Sequence, residues 1–192
     1  MVRRLLVLGA LVVVFGAGCS SGGGPSTVST APVAPTTPAV PSVTGTVATL
    51  PVARPEGFTA VTLRVTGADG TVHESCVLLA DDDAKRARGL MDVDNLGGYD
   101  GMIFRFDSPI EAMFYMYRTR LPLSIAFFDR DGRYVSASDM PPCTATRARD
   151  CPVYGAARPY TDALEVPQGG LGALGVAAGS RIDVGGACSR SP

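Results

Sequence analysis

The chain has 192 residues, 46% hydrophobic and 18% charged, with a formal net charge of −1, no Trp, one His and five Cys. That is room for one medium domain and not for several. The near-neutral balance, more acidic still once Arg3 and Arg4 are set aside, argues against the basic face with which nucleic-acid binders displace counterions. A single histidine, His73, excludes a His-based metal cage within one chain.

Arg3 and Arg4 precede the apolar run Leu5 to Phe15 and the small residues Gly16-Ala17-Gly18, after which comes Cys19. The run is too short to span about 30 Å of hydrocarbon, so residues 1–19 are expected to be a signal peptide. Small residues directly before a Cys resemble the bacterial lipoprotein signal, in which that Cys is lipidated and becomes the new N-terminus. The resemblance implies an exported protein held by Cys19 at the outer face of the bacterial cell membrane. Its partner there would be the membrane itself, each buried acyl CH₂ contributing about 0.8 kcal/mol.

Residues 20–55 read as a linker. Ser20 to Ala53 carries no charge, and Pro25, Pro32, Pro35, Pro38, Pro41, Pro51 and Pro55 punctuate a background of Ser, Thr, Val, Ala and Gly. Repeated proline removes amide donors and favours extended polyproline II, so no core is expected to nucleate. Fully extended, such a spacer reaches roughly 110 Å. The folded domain is expected over residues 56–192.

Within it, Thr59 to Thr66 alternates Val61, Leu63 and Val65 with polar residues, which predicts a half-buried strand. Ala68-Asp69-Gly70 supplies a turn and Thr71 to Ala80 the returning strand of a hairpin. Asp81 to Asp83 ahead of Ala84 to Met91, with bases in the last turn and Gly89 near the end, predicts a helix of about two turns. Met102, Phe104 and Phe106 then share one face of a strand whose other face carries Ile103 and Arg105. Ala112 to Tyr117, Leu123 to Phe128, Arg133 to Ser138, Ala163 to Val166 and Arg181 to Val184 are further strand candidates. The expected fold class is α+β, mainly β: a curved, mostly antiparallel sheet or small barrel with one short helix.

Removing Cys19 leaves four cysteines, and an even number in an exported domain points to two disulfides. Four cysteines allow three pairings. Cys143 and Cys151 lie in one compact loop that suits a local bridge, and Cys76 and Cys188 then pair by elimination, stapling the ends of the domain. Neither pair has the Cys-x-x-Cys spacing of a redox catalyst. Asp129-Arg-Asp-Gly132 lacks the glycine and terminal glutamate of a calcium loop, so it predicts a hairpin turn. No phosphate cradle or nucleophile elbow is present.

Arg88-Gly89-Leu90-Met91, Gly101-Met102-Ile103-Phe104-Arg105-Phe106, Met116-Tyr117-Arg118-Thr119, Leu121 to Asp129, Asp131-Gly132, Pro142-Cys143, Cys151 to Tyr154 and Leu164-Glu165 follow one another across about Val72 to Val184. In this order and spacing they resemble the domain of unknown function 192 family. The resemblance implies a compact, mainly β domain with a short helix, frequently exported, and no established activity. The family pattern has Asn and Asp at the positions of Arg118 and Ser124, so a shared polar site there would have its local charge reversed.

The polar residues embedded most closely in these apolar motifs are Arg88, Arg118, Thr119, Ser124 and Glu165, and they are the candidate ligand-binding set. Two readings stand for Glu165. It forms a structural ion pair with Arg88 or Arg118, or it lines with them a concave pocket for a small anionic or hydroxylated ligand, for which the planar arginine fork is suited. Met91, Met102, Met113 and Met116 recur among phenylalanines at strand spacing, which points to core packing rather than copper. No cofactor, metal or nucleic acid is expected. The function these features favour is a membrane-anchored, non-enzymatic binding or interaction domain. Its rivals are a cell-envelope hydrolase pairing Glu165 with Asp129 or Asp139, and a structural envelope protein.

Overall fold

The computed structural model describes residues 55–188. The expected signal peptide, Cys19 and the expected linker up to residue 54 lie outside the described residues, as do residues 189–192 at the end of the expected domain.

β1 (Thr59–Thr66) and β2 (Val72–Ala80) form the expected hairpin, Thr66 standing opposite Val72. α1 (Asp83–Arg88) begins where the Asp82 side chain accepts the Lys85 amide at 2.7 Å and ends at Gly89, whose φ of 47° reverses the chain. This helix is a short crossover, and the strand it delivers, β3 (Gly101–Ile110), therefore runs parallel to β2. β4 (Phe114–Tyr115), β5 (Leu123–Phe128), β6 (Tyr134–Met140), β7 (Val153–Tyr154), β8 (Tyr160–Pro167) and β9 (Arg181–Ala187) follow. Seven strands make one mixed sheet in the order β6-β5-β8-β3-β2-β1-β9, while β4 and β7 form a separate two-stranded sheet.

The main sheet is bent enough for its two edge strands to approach at one corner. There the Tyr134 amide donates to the Ser180 carbonyl at 3.0 Å and the Ile182 amide to the Gly132 carbonyl at 2.8 Å. β6 and β9 nevertheless do not pair along their lengths, so the curved-sheet expectation holds and the barrel does not close.

Alternation along the strands produces two cores. Leu63, Val77, Ile103, Phe128 and Leu164 fill one face, and Met102, Phe104, Ile125, Phe127 and Ala163 the other, where Leu90 and Met116 pack over them. Burying each of these side chains other than Ala163 contributes about 1.5–3 kcal/mol. Phe114 enters this second core edge-on to Phe104 at 5.0 Å and close to Phe127 at 5.8 Å.

The expected strand Ala112 to Tyr117 shrinks to Phe114–Tyr115, because Met116 begins a tight turn closed by the Thr119 amide on the Met116 carbonyl at 3.1 Å. β7, its partner, had no strand signal in the sequence. Both disulfides are those expected, Cys76–Cys188 and Cys143–Cys151. Asp129 to Gly132 is a turn, its Asp129 carboxylate taken up by the amides of Asp131 and Arg133 at 3.0 and 2.9 Å.

Candidate functional site

β8 lies between β5 and β3, and on it Glu165 stands opposite Ile125 on one side and Met102 on the other. Both neighbours are fully buried, and the glutamate itself is only 5% exposed. Its carboxyl makes no ion pair or side-chain hydrogen bond among the described residues, and burial alone pushes its pKa from an ordinary 4.5 up to about 8. A carboxyl in that condition is largely neutral near pH 7 and retains an O–H to donate.

Glu165 is at the floor of a cleft of about 230 Å³ formed where the end of α1, β3 and β4 meet above β8. Phe104, Phe106 and Phe114 supply its aromatic walls, Leu90 and Met91 its side toward the helix, and Met113 and Tyr115 its exposed rim. The shape depends on two glycines. A Cβ on Gly101 would stand 2.3 Å from the Glu165 backbone oxygen, so only glycine lets β3 start this close to β8. A Cβ on Gly89, where φ is already 47°, would press on the Phe104 ring at 3.3 Å. Tyr160 holds the rim segment by donating its hydroxyl to the Ala112 carbonyl at 2.9 Å.

The structure brings together three of the five candidate residues. Thr119, Arg88 and Glu165 line the cleft. Thr119 is 6% exposed, and its hydroxyl donates only a long bond, 3.4 Å, to the Tyr117 carbonyl. Arg88 lies at the cleft's edge with its guanidinium stacked 4.2 Å from the Phe58 ring and donating to the Glu56 carbonyl. Arg118 lies in the adjoining depression and pairs with Asp92. Ser124 is on the opposite face of the sheet, since its neighbour Ile125 shares the Glu165 side. There it donates to Asp139 at 2.5 Å and accepts the Gly169 amide at 2.9 Å.

Three expectations are thereby corrected. Neither Arg88 nor Arg118 forms an ion pair with Glu165, because each has a nearer partner outside the core. The mostly buried carboxylate that is ion-paired is Asp162, held by Arg105 at 2.8 Å across the β3–β8 register. The carboxylate pair required by a hydrolase is not assembled: Asp139 faces away with Ser124 and Asp129 is occupied in its own turn. Met102 and Met116 are core residues as expected, but Met113 is 52% exposed on the rim.

Arg118 also has a different role from the one its sequence position suggested. It is the third residue of the Met116–Thr119 turn and has φ of 56°. Asparagine tolerates that left-handed conformation better than most residues, so the asparagine of the resembled pattern would suit the backbone at this position. The residues that sequence reasoning missed are the wall phenylalanines and Arg86. Arg86 lies over Phe106 at 5.0 Å and donates to the Arg105 carbonyl at 2.7 Å. Their signal, alternate aromatics on one strand face, is indistinguishable from that of core packing until α1 leaves a gap above them.

No curated protein matches the chain. Solved structures share its fold, among them these two. One, from Sinorhizobium meliloti and described as a candidate transcription regulator, is 28% identical, with 66% of this chain and 95% of that chain covered and a TM-score of 0.58. The other, a protein of unknown function from Novosphingobium aromaticivorans, is 33% identical, with 71% and 94% covered and a TM-score of 0.56. The profile of the DUF192 family, described as Uncharacterized ACR, matches residues 64–184, from β1 into β9. That is more than half of the sequence, and the chain belongs to the DUF192 family.

Proposed function

We propose that this protein is an exported, lipid-anchored binding domain whose cleft over Glu165 takes a small, predominantly apolar ligand. The observation that carries the binding reading is a mostly buried carboxyl with no side-chain partner among the described residues, on the floor of an aromatic-walled cleft. Buried polar groups ordinarily have hydrogen-bond partners, and one left without a protein partner beside a cleft is suited to a ligand. A cavity of roughly 150 Å³ holds a benzene ring, so about 230 Å³ accommodates a ring or short chain with a few further atoms.

Anchoring is supported by the segment before Cys19 and by the linker composition. Two disulfides suit an oxidising compartment outside the cytoplasm. The regulator description of the Sinorhizobium protein has no support in this chain's charge, which provides no basic surplus for nucleic acid. The exposed Tyr115 and Val153 pair across the β4–β7 sheet beside the cleft and Met113 immediately precedes it, and we assign all three to the same binding surface rather than to a separate structural role.

Two measurements on the full chain test this. Toluene titrated into the protein should shift the methyl signals of Met91 and Met113 and leave that of Met140, away from the cleft, in place; no shift at either rim methionine overturns the binding reading. Metabolic labelling with an alkyne fatty acid should mark the protein and be abolished by Cys19→Ser; an unlabelled wild-type product overturns the anchor.

A further inference from the structure

The cleft combines features that together discriminate by charge. Its floor is Glu165, which has no hydrogen-bond partner among the described residues and is flanked by Met102 and Ile125. An anionic ligand would carry a full charge into a low-dielectric setting in which neither edge arginine is turned inward to neutralise it. Its edge carries Arg86 and Arg88, both contributed by α1, and a cationic ligand would have to pass between two guanidiniums. Neither arginine has turned toward the floor: Arg86 is engaged by Asp83 and the Arg105 carbonyl, Arg88 by the Glu56 carbonyl. The remaining titratable group on the cleft wall is Tyr115 of β4; β3 contributes Phe104 and Phe106, and the Met116–Thr119 turn contributes Thr119.

Resting on the binding reading above, we propose that the cleft selects an uncharged ligand whose polar end both accepts and donates hydrogen bonds, a carboxamide or an alcohol on an apolar body. Glu165 donates its carboxyl O–H to the ligand's oxygen. Thr119, whose own donor is directed to Tyr117, accepts from the ligand's N–H or O–H. The phenylalanine walls hold the body and exclude water, which strengthens both bonds.

The test uses four probes of similar size on the full chain: toluene, hexanamide, hexanoate and hexylammonium, followed by calorimetry and by the Met91 and Met113 methyl signals. At about pH 6, where Glu165 retains its proton, hexanamide should bind about ten-fold more tightly than hexanoate or hexylammonium. Its affinity should fall about ten-fold by about pH 9.5, as the donor is lost. Glu165→Gln keeps a neutral donor in the same shape and should bind hexanamide with no pH dependence. Glu165→Leu should lose the preference for hexanamide while keeping toluene. Should Glu165→Leu fail to fold, the flat pH profile of Glu165→Gln decides. Toluene binding accompanied by equal or tighter binding of either ion, or by a flat wild-type pH profile for hexanamide, overturns the uncharged-ligand proposal and leaves the binding reading standing. Failure of all four probes overturns both.

Discussion

The Asp92 amide donates to the Arg118 carbonyl at 2.8 Å, and the Arg118 guanidinium returns to the Asp92 carboxylate. These are the two non-glycine residues with positive φ among the described residues, 59° and 56°. Each therefore helps hold the other in a conformation that L-residues resist, and together they lock the segment after α1 to the turn after β4. The ion pair itself is more than one-third exposed on both sides and contributes at most about 1 kcal/mol. Arg118→Asn should therefore be tolerated, with stability changing by less than about 0.5 kcal/mol, because asparagine recovers in backbone preference what the lost charge removes. Arg118→Val, β-branched at a left-handed position, should cost about 1–3 kcal/mol. Urea unfolding of the three proteins compares them; equal losses for Asn and Val would refute the backbone account.

Gly101→Ala tests the closeness of β3 to β8. Its Cβ would meet backbone rather than a yielding side chain, so the strand pair must separate beside Glu165. We expect a loss of at least about 2 kcal/mol, and a wild-type melting temperature for this variant would contradict the geometry. Gly98→Ala, where the added carbon meets nothing but φ is 87°, should cost less, about 1–2 kcal/mol.

Glu165 makes stability pH-dependent in a defined direction. Its folded pKa of about 8 lies above the unfolded 4.5, so between these values the folded state retains a proton that the unfolded state has released. The contribution is fully present below the unfolded value and is lost as pH rises, by up to about 1.4 kcal/mol per unit, until the folded value is passed. Denaturant midpoints from about pH 5 to about pH 9 should fall more steeply for the wild type than for Glu165→Gln. Parallel curves would show that Glu165 is not the titrating group.

The two disulfides should differ in weight. Their sequence separations are 112 for Cys76–Cys188 and 8 for Cys143–Cys151. In the chain-entropy account the long loop contributes about 4–5 kcal/mol and the short one about 2–3. Paired Cys→Ser variants measured under oxidising conditions should show that order, and a larger loss from the short loop would indicate that native packing around Cys151 outweighs loop closure.

Much of the sheet was legible because period-two alternation is a local property. Val61, Leu63 and Val65, or Met102, Phe104 and Phe106, announce a strand wherever it ends up. Strand partners were less accessible. The parallel β2–β3 pairing depends on the direction in which α1 crosses, and β7 is defined only by Phe114 and Tyr115 across from Tyr154 and Val153. At the site, Glu165 stood out as a charge in an apolar run, while Asp162, three residues earlier, fell outside the strand expected over Ala163 to Val166. Which of the two received an arginine was decided by the register that sets Arg105 opposite Asp162 and Met102 opposite Glu165.

The amino-acid order alone determined the strands of the main sheet, the capped helix and both cysteine pairings, since alternation, capping and the closing of a short loop act between near neighbours or leave one choice by exclusion. The folded arrangement alone decided that Ser124 and Glu165 face opposite ways, that Arg118 serves a turn, and that three phenylalanines of one core also border a cleft. Those outcomes depend on what lies above each sheet face, and a side chain's surroundings across the sheet are set by distant segments that its own neighbours in the chain do not encode.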